Sequence, residues 1–396
     1  MNATPPTRRT LLAASASAAA AALAWTGTTA MAGNAPRPRA RRAYIGGFTR
    51  GEYGLPGLPG IGMARINATG RLELTGWQRD IVNPSYLTLS PTGRHLYAVS
   101  QRPDGATGSL HAYRVDGDHL IPVGHPRSSH GAAPVHLAVH PDGKFLLTAN
   151  YDSGHITVLP VHPDGSLGEA VQVLRHQGHG PHPQEQRGPH PHMIAFDPAA
   201  RRVLVPDKGN DQIYAYDFDA TTGHLRLAHR THVGQGTGPR HLVFHPHGRL
   251  AYVTNELGHT VTVHAYDEPT GRLAPVAHAS VAPPGTNPRN APSAVHVTHD
   301  GSTLITADRG LDTVESFRLE NAGRTLTLLA SQPVTPKAPG TRWPRDVALD
   351  ASDRFVYTAN QAGQSVSAFH LDPATGRLSP AAPPLQVASP SCVLLA

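Results

Sequence analysis

Eight residues of this 396-residue chain, His190, His192, Lys208, Arg240, Glu256, Arg309, Arg345 and Gln361, combine types able to do acid–base and anion chemistry with a recurrent spacing in or beside repeated Pro motifs. An imidazole and a carboxylate can move a proton to or from water or a leaving oxygen. Fixed cations can hold an oxyanion, or an anionic group on a ligand. These residues are spread over almost half the chain, so the fold must gather them.

A repeat supplies the means. Short motifs recur at Asn83-Pro84-Ser85, Ala133-Pro134-Val135, His190-Pro191-His192, Gly238-Pro239-Arg240, Ala291-Pro292-Ser293, Trp343-Pro344-Arg345 and Ser389-Pro390-Ser391. The Pro-to-Pro steps are roughly 46 to 57 residues, a period typical of propellers and related arrays. Two columns follow from aligning the motifs. The residue after Pro is Ser85, Val135, His192, Arg240, Ser293, Arg345 or Ser391. The residue seventeen after Pro is Gln101, Tyr151, Lys208, Glu256, Arg309 or Gln361.

Within a repeat the pattern is β. After Pro239 come the apolar run Leu242–Phe244, a turn at His245–Gly248, the run Leu250–Thr254, and the alternating run Thr260–Tyr266. A turn at Pro269-Thr270-Gly271 then opens a fourth strand. The turn chemistry repeats at Pro141-Asp142-Gly143, Pro163-Asp164-Gly165 and Thr221-Thr222-Gly223. Four short antiparallel strands per repeat predict an all-β propeller with four-stranded blades. Residues 43–82 supply the last three strands of a blade lacking its first, and the truncated repeat at Pro390 supplies that strand. One blade is therefore sewn from both termini, the ring closes without exposed edges, and the count is seven.

In such a ring, equivalent positions encircle the axis, and antiparallel pairing puts both columns at one end. His192, Lys208, Arg240, Glu256, Arg309, Arg345 and Gln361 should converge on one mouth of the channel. A structural column repeats one residue type, as the Pro column does, whereas these vary from blade to blade and are rich in ionisable groups. Three or four cations against the single carboxylate Glu256 favour an anionic ligand or an oxyanion. The alternative is an ion-pair network that plugs the channel.

Other features bound the reading. Thr7-Arg8-Arg9-Thr10-Leu11-Leu12, an Ala-rich apolar run to Trp25 and Ala30-Met31-Ala32 read as a twin-arginine signal peptide over residues 1–32. Residues 33–42 read as a linker and 43–396 as the propeller. The expectation is an exported chain, extracellular or periplasmic, with no stable membrane anchor. Cys392 is the only cysteine, so there is no disulfide, and it reads as a buried small hydrophobe. The net charge of +6 falls to +4 without Arg8 and Arg9, and the folded part has no Lys/Arg runs, which gives no nucleic-acid signal. A closed ring has no edge that demands a partner, so a monomer is expected.

His176, His179, His182, His190 and His192 suggest a metal site, but Gly, Pro and Gln interrupt them and no Cys joins them. They read as a solvated Pro-rich loop at the mouth. No motif calls for a cofactor. A Gly-x-Ser-x-Gly elbow is absent, so a serine nucleophile has no support.

The strings Gly188-Pro189-His190-Pro191-His192, Gly238-Pro239-Arg240-His241-Leu242, Thr254-Asn255-Glu256-Leu257, Asp308-Arg309-Gly310 and Ala359-Asn360-Gln361 resemble the lactonase family of seven-bladed propellers. That family includes propeller-type 6-phosphogluconolactonases and the fungal carboxy-muconate lactonizing enzyme. The similarity runs from about Tyr44 to the C-terminus. It implies a metal-independent site on one face, with His192, Arg240, Glu256 and Arg309 catalytic and a small-molecule lactone as partner. Arg345, Lys208, Gln361 and His190 then stand as substrate contacts. Asp207-Lys208-Gly209 and Asp308-Arg309-Gly310 depart from the family's Asp-Leu-Gly and Asn-Arg-Gly, placing an extra Lys and Asp at the mouth. Glu256 or His192 is the base, with Glu256 named first. Ring closure by addition to a double bond and binding without catalysis remain as alternatives.

Overall fold

The second strand of each repeat reads as a short, continuous apolar run because both its faces are covered. Phe145–Asn150, Leu250–Asn255 and Phe355–Asn360 are buried at every position, as expected for strands packed between neighbouring sheets. A computed structural model describes Met1 and residues 41–102, 105–286, 290–335 and 343–396. The signal-peptide and linker readings lie almost wholly outside the described residues. Apart from Met1, the described residues belong to one compact unit, 38–396. None of their helices is long and apolar enough to cross a membrane.

The unit is a seven-bladed β-propeller, all antiparallel. The fourth blade, for example, runs Pro239–Phe244, Leu250–Asn255, Thr260–Asp267 and Arg272–Ser280 in spatial order. The first strands of neighbouring blades pack on one another and so form the inner ring. The seventh blade is ordered Pro390–Leu395, Arg42–Gly47, Ile61–Ile66, Leu72–Gln78, with Tyr44 opposite Leu394 and Ile45 opposite Val393. Both termini thus share one sheet.

The core lies between the blades. Leu147 and Val158 of the second blade join Val203, Val205 and Tyr214 of the third. Tyr357 and Ala359 of the sixth join Ala43 and Ile45 of the seventh. Three buried tyrosines staple neighbours together. Tyr97, Tyr252 and Tyr357 donate their hydroxyls to the carbonyls of Gly165, Gly323 and Gly70, at 3.1, 2.8 and 3.0 Å. Each acceptor is a turn glycine at positive φ, where a Cβ would be strained.

Two blades depart from the four-strand repeat. In the first, Arg127–Ala132 adds a fifth strand on Thr107–Asp116. Its Ser129 carbonyl accepts from Asn150 Nδ2 and Thr157 Oγ1 of the second blade, at 3.0 and 2.7 Å. In the third, the innermost strand shrinks to Ala195–Phe196, with an isolated bridge from Pro191 to Asp207.

Candidate active site

One recurrent hydrogen bond brings the two columns together. The residue before each Pro offers its carbonyl to the N–H of the residue eighteen positions on. Gln101 donates to Asn83, Tyr151 to Ala133, Lys208 to His190, Glu256 to Gly238 and Gln361 to Trp343, at 2.8–3.1 Å. Asn83, Ala133, Gly238 and Trp343 take φ of 43°, 51°, 59° and 48° to do so. That conformation costs a non-glycine residue about 1–2 kcal/mol, which the repeated clip offsets. In the fifth blade Ala291 and Arg309 are paired within the ladder, and the Arg309 side chain also donates from Nε to the Ala291 carbonyl at 3.3 Å.

The clips surround a cavity of about 720 Å³ at one end of the ring. His192, Lys208, Glu256, Arg309 and Arg345 line it together with Gln101 and Tyr151. Arg240 lies beneath, on a second cavity of about 20 Å³ that His192 and Arg345 also border. Glu256 is the hub of the cluster. Its Oε1 is 2.7 Å from Lys208 Nζ, and its Oε2 is 3.1 Å from Arg240 Nε and 2.5 Å from Arg309 Nη2. The two arginine contacts are ion pairs out of hydrogen-bond alignment, so Arg240 Nε and Nη1 and Arg309 Nη2 have no acceptor among the described residues. Lys208 reaches a second carboxylate, Glu185 Oε2, at 2.7 Å. Arg345 donates from Nη1 to Gln361 Oε1 at 3.1 Å and lies 5.4 Å from the centroid of the Phe48 ring.

Burial and charge set the protonation states. Burial alone would raise the Glu256 carboxyl, but Arg309, Lys208 and Arg240 hold it well below the usual range. Burial, reinforced by Arg240 and the other cations, pushes His192 well below the ordinary histidine value, so the imidazole is neutral at physiological pH. Its Nδ1 is buried and has no hydrogen-bond partner. Burial and the neighbouring Arg309 bring Arg240 down to about 9, which leaves it charged at neutral pH. Burial works against the Lys208 charge, yet Glu256, Tyr151 and Glu185 outweigh it and its pKa rises.

This geometry corrects several expectations. Both oxygens of Glu256 are engaged by cations, which makes it a poorer proton acceptor than the neutral imidazole of His192. His190 does not line the cavity. It stacks on Tyr151 at 4.3 Å between ring centroids and bonds the Tyr151 carbonyl through Nδ1 at 2.9 Å. Tyr151 in turn meets His192 edge-on at 5.5 Å, so His190 supports the site from behind. Gln361 is also buried, and touches the cavity only by holding Arg345. Asp308 is fully buried below the mouth, not at it.

The His-rich loop is anchored more firmly than its composition suggests. His176 Nδ1 lies 2.6 Å from Asp207 Oδ2, with both side chains sealed from solvent. Buried Gln186 donates to the Lys208 carbonyl and to Asp211 Oδ1, at 2.8 and 2.7 Å. That loop delivers Glu185 to the cavity wall.

Glu52, Tyr53, Asp152, Glu185 and Trp343 complete the rim, and none was singled out from the sequence. Asp152 follows the Tyr151 column and Trp343 is a pre-Pro residue, so both were within reach of the repeat. Glu52 and Tyr53 belong to a short 3-10 turn, Glu52–Gly54, with no counterpart among the other described residues. Among the described residues the lining carries three cations, Lys208, Arg309 and Arg345, against four carboxylates, Glu52, Asp152, Glu185 and Glu256, with Arg240 beneath. The expected cationic excess is not found among these described residues, because the columns omit the acidic rim.

Comparison with known proteins adds the following. A family model described as Lactonase, 7-bladed beta-propeller matches residues 42–395. A 6-phosphogluconolactonase of Bacillus subtilis (strain 168) is 31% identical over 353 residues, covering 88% of this chain and 97% of its own. One from Pectobacterium carotovorum is 34% identical over 299 residues, covering 75% and 83%. The solved structure of a Pseudomonas aeruginosa periplasmic gluconolactonase matches with a TM-score of 0.80 at 29% identity, over 89% of this chain and 98% of that one.

Proposed function

The chain belongs to the seven-bladed β-propeller lactonase family, and from that premise we propose that it hydrolyses a lactone in the cavity at the propeller mouth. The observation that carries this reading is the division of labour around Glu256. Its carboxylate fixes Arg240, Arg309 and Lys208, and His192 stands beside them as a neutral imidazole with one nitrogen free to accept a proton.

In the proposed reaction His192 removes a proton from water as the oxygen adds to the lactone carbonyl. The carbonyl electrons move to oxygen, and Arg309 and Arg345 face the oxyanion with fixed charge. One well-placed donor of that kind contributes about 3–4 kcal/mol. The tetrahedral intermediate then collapses, the ring C–O bond breaks, and the imidazolium returns its proton to the leaving alkoxide. The product is a hydroxy acid, which at neutral pH releases one proton per turnover. Side chains carry every charge and proton in this scheme, and no metal takes part in it. The expected outcome is that EDTA treatment leaves the rate unchanged.

Export is the second part of the proposal. Arg8 and Arg9, the Ala-rich run and Ala30-Met31-Ala32 support it, as does the periplasmic relative in Pseudomonas aeruginosa. The test of function is pH-stat titration of the purified protein against sugar and aliphatic lactones. Proton release above the spontaneous rate supports the reading. A well-folded protein inert on every lactone would instead fit a propeller that binds without catalysis.

A further inference from the structure

Lys208 and Arg309, two of the three cations described in the cavity lining, are each tied to a carboxylate. Lys208 Nζ is held 2.7 Å from both Glu185 and Glu256, and Arg309 Nη2 lies 2.5 Å from Glu256. Among the described residues Arg345 has no carboxylate within ion-pairing distance; burial and Arg309 act against its charge, and Glu52 and Glu256 offset them only in part. A phosphate monoester is normally held by paired cations or a bidentate arginine. Here it would have to displace Glu185 or Glu256 from Lys208. It would also have to pass Glu52, Asp152 and Glu185 at the rim, where like charges repel.

The same wall suits a neutral, hydroxyl-bearing ring. The rim carboxylates accept hydrogen bonds from hydroxyl groups, and the buried Gln101 Oε1 at the cavity wall has no hydrogen-bond partner among the described residues. Tyr53 is largely exposed and packs edge-to-face on Trp343, with ring centroids 5.2 Å apart. The pair offers an aromatic flank for the C–H face of a sugar ring.

We propose that the substrate is an uncharged polyhydroxylated lactone, and that Glu52, Asp152 and Glu185 exclude its phosphorylated counterpart. The proposal rests on the lactonase reading above. It is tested by measuring kcat/KM of the full chain for D-glucono-1,5-lactone and for its 6-phosphate, in wild type and in E52Q/D152N/E185Q. Wild type should favour the unphosphorylated lactone by about tenfold or more, the scale on which local charge changes association. The triple variant should close most of that gap through a gain on the phosphorylated lactone. E185Q alone should move the ratio the same way by about threefold, which keeps the test usable if the triple variant does not fold. Equal or faster turnover of the phosphorylated lactone by wild type overturns the selectivity claim and leaves the lactonase reading standing. No turnover of either compound or of the wider lactone panel overturns both.

Discussion

At Glu256 one carboxylate neutralises three partly desolvated cations, so its charge matters more than its basicity. Glu256→Gln leaves Arg240, Arg309 and Lys208 facing one another without their shared counter-ion, although Lys208 keeps Glu185. Breaking a buried ion pair costs about 3–5 kcal/mol. The variant should therefore both melt earlier and lose at least about a hundredfold in kcat/KM, read by calorimetry and pH-stat. His192 gives a different profile. Burial and the surrounding cations lower its pKa, and the neutral form is the active one. Activity should thus be flat from pH 8 down to the ordinary histidine value of about 6.5 and fall only in more acid solution. An acid limb centred at or above that value would contradict the assignment. At this scale the sequence was partly legible. The variable columns led to His192, Lys208, Glu256, Arg309 and Arg345, because register alone fixes where a column lies. Register did not foretell that Gln361 turns behind Arg345 or that His190, outside both columns, stacks on Tyr151, because side-chain direction depends on neighbours that register does not specify. The balance of charge was out of reach, since Glu52 and Glu185 come from loops outside the repeat.

At the scale of strands, a hydrogen bond shared by three blades is replaced in the fifth by a pair of carboxyls. Asn150, Asn255 and Asn360 each donate from Nδ2 to a hydroxyl seven residues on, that of Thr157, Thr262 or Ser367. In the fifth blade the corresponding residues are Asp308 and Glu315, on the same face of paired strands and both fully buried. Glu315 Oε1 accepts from Thr313 and Ser331, whereas Glu315 Oε2 and Asp308 Oδ2 have no hydrogen-bond partner among the described residues. Burial raises both carboxyls, and for Glu315 the Asp308 charge adds to it. The folded state thus binds a proton that the unfolded chain releases in the ordinary carboxylate range. By linkage this stabilisation is full at acid pH and is lost as pH rises through the raised folded values. Glu315→Gln removes one titrating partner. Its melting temperature should exceed that of wild type by about 2 °C at pH 8, with the gap shrinking toward pH 5. Melting curves across that range decide it, and a gap independent of pH would contradict the shared proton. The strands themselves were legible from the alternation and turn motifs. The fifth strand Arg127–Ala132 was not, because its pairing is set by contacts with the next blade.

For the whole molecule, ring closure is the decisive property. The Pro spacing gave seven units and placed the last strand beside the first, since a truncated repeat at one end matched a missing strand at the other. That strand buries Cys392 and Val393 in two different inter-blade clusters. Deleting Pro390–Ala396 should abolish a cooperative melt and drive association through the exposed edge of Arg42–Gly47. Each fully buried apolar side chain lost costs about 1.5–3 kcal/mol, and an unpaired strand is a template for pairing. Size-exclusion chromatography showing a stable monomer of the truncated chain would contradict that dependence. Closure also holds His192, Glu256 and the three arginines, drawn from four different blades, in one mouth. The most direct test of the central claim is kcat for lactone opening in wild type and His192→Asn, with melting curves recorded on both. The expected result is a loss of about 10²–10⁴-fold at nearly unchanged melting temperature. Wild-type turnover by a well-folded His192→Asn variant would contradict the account.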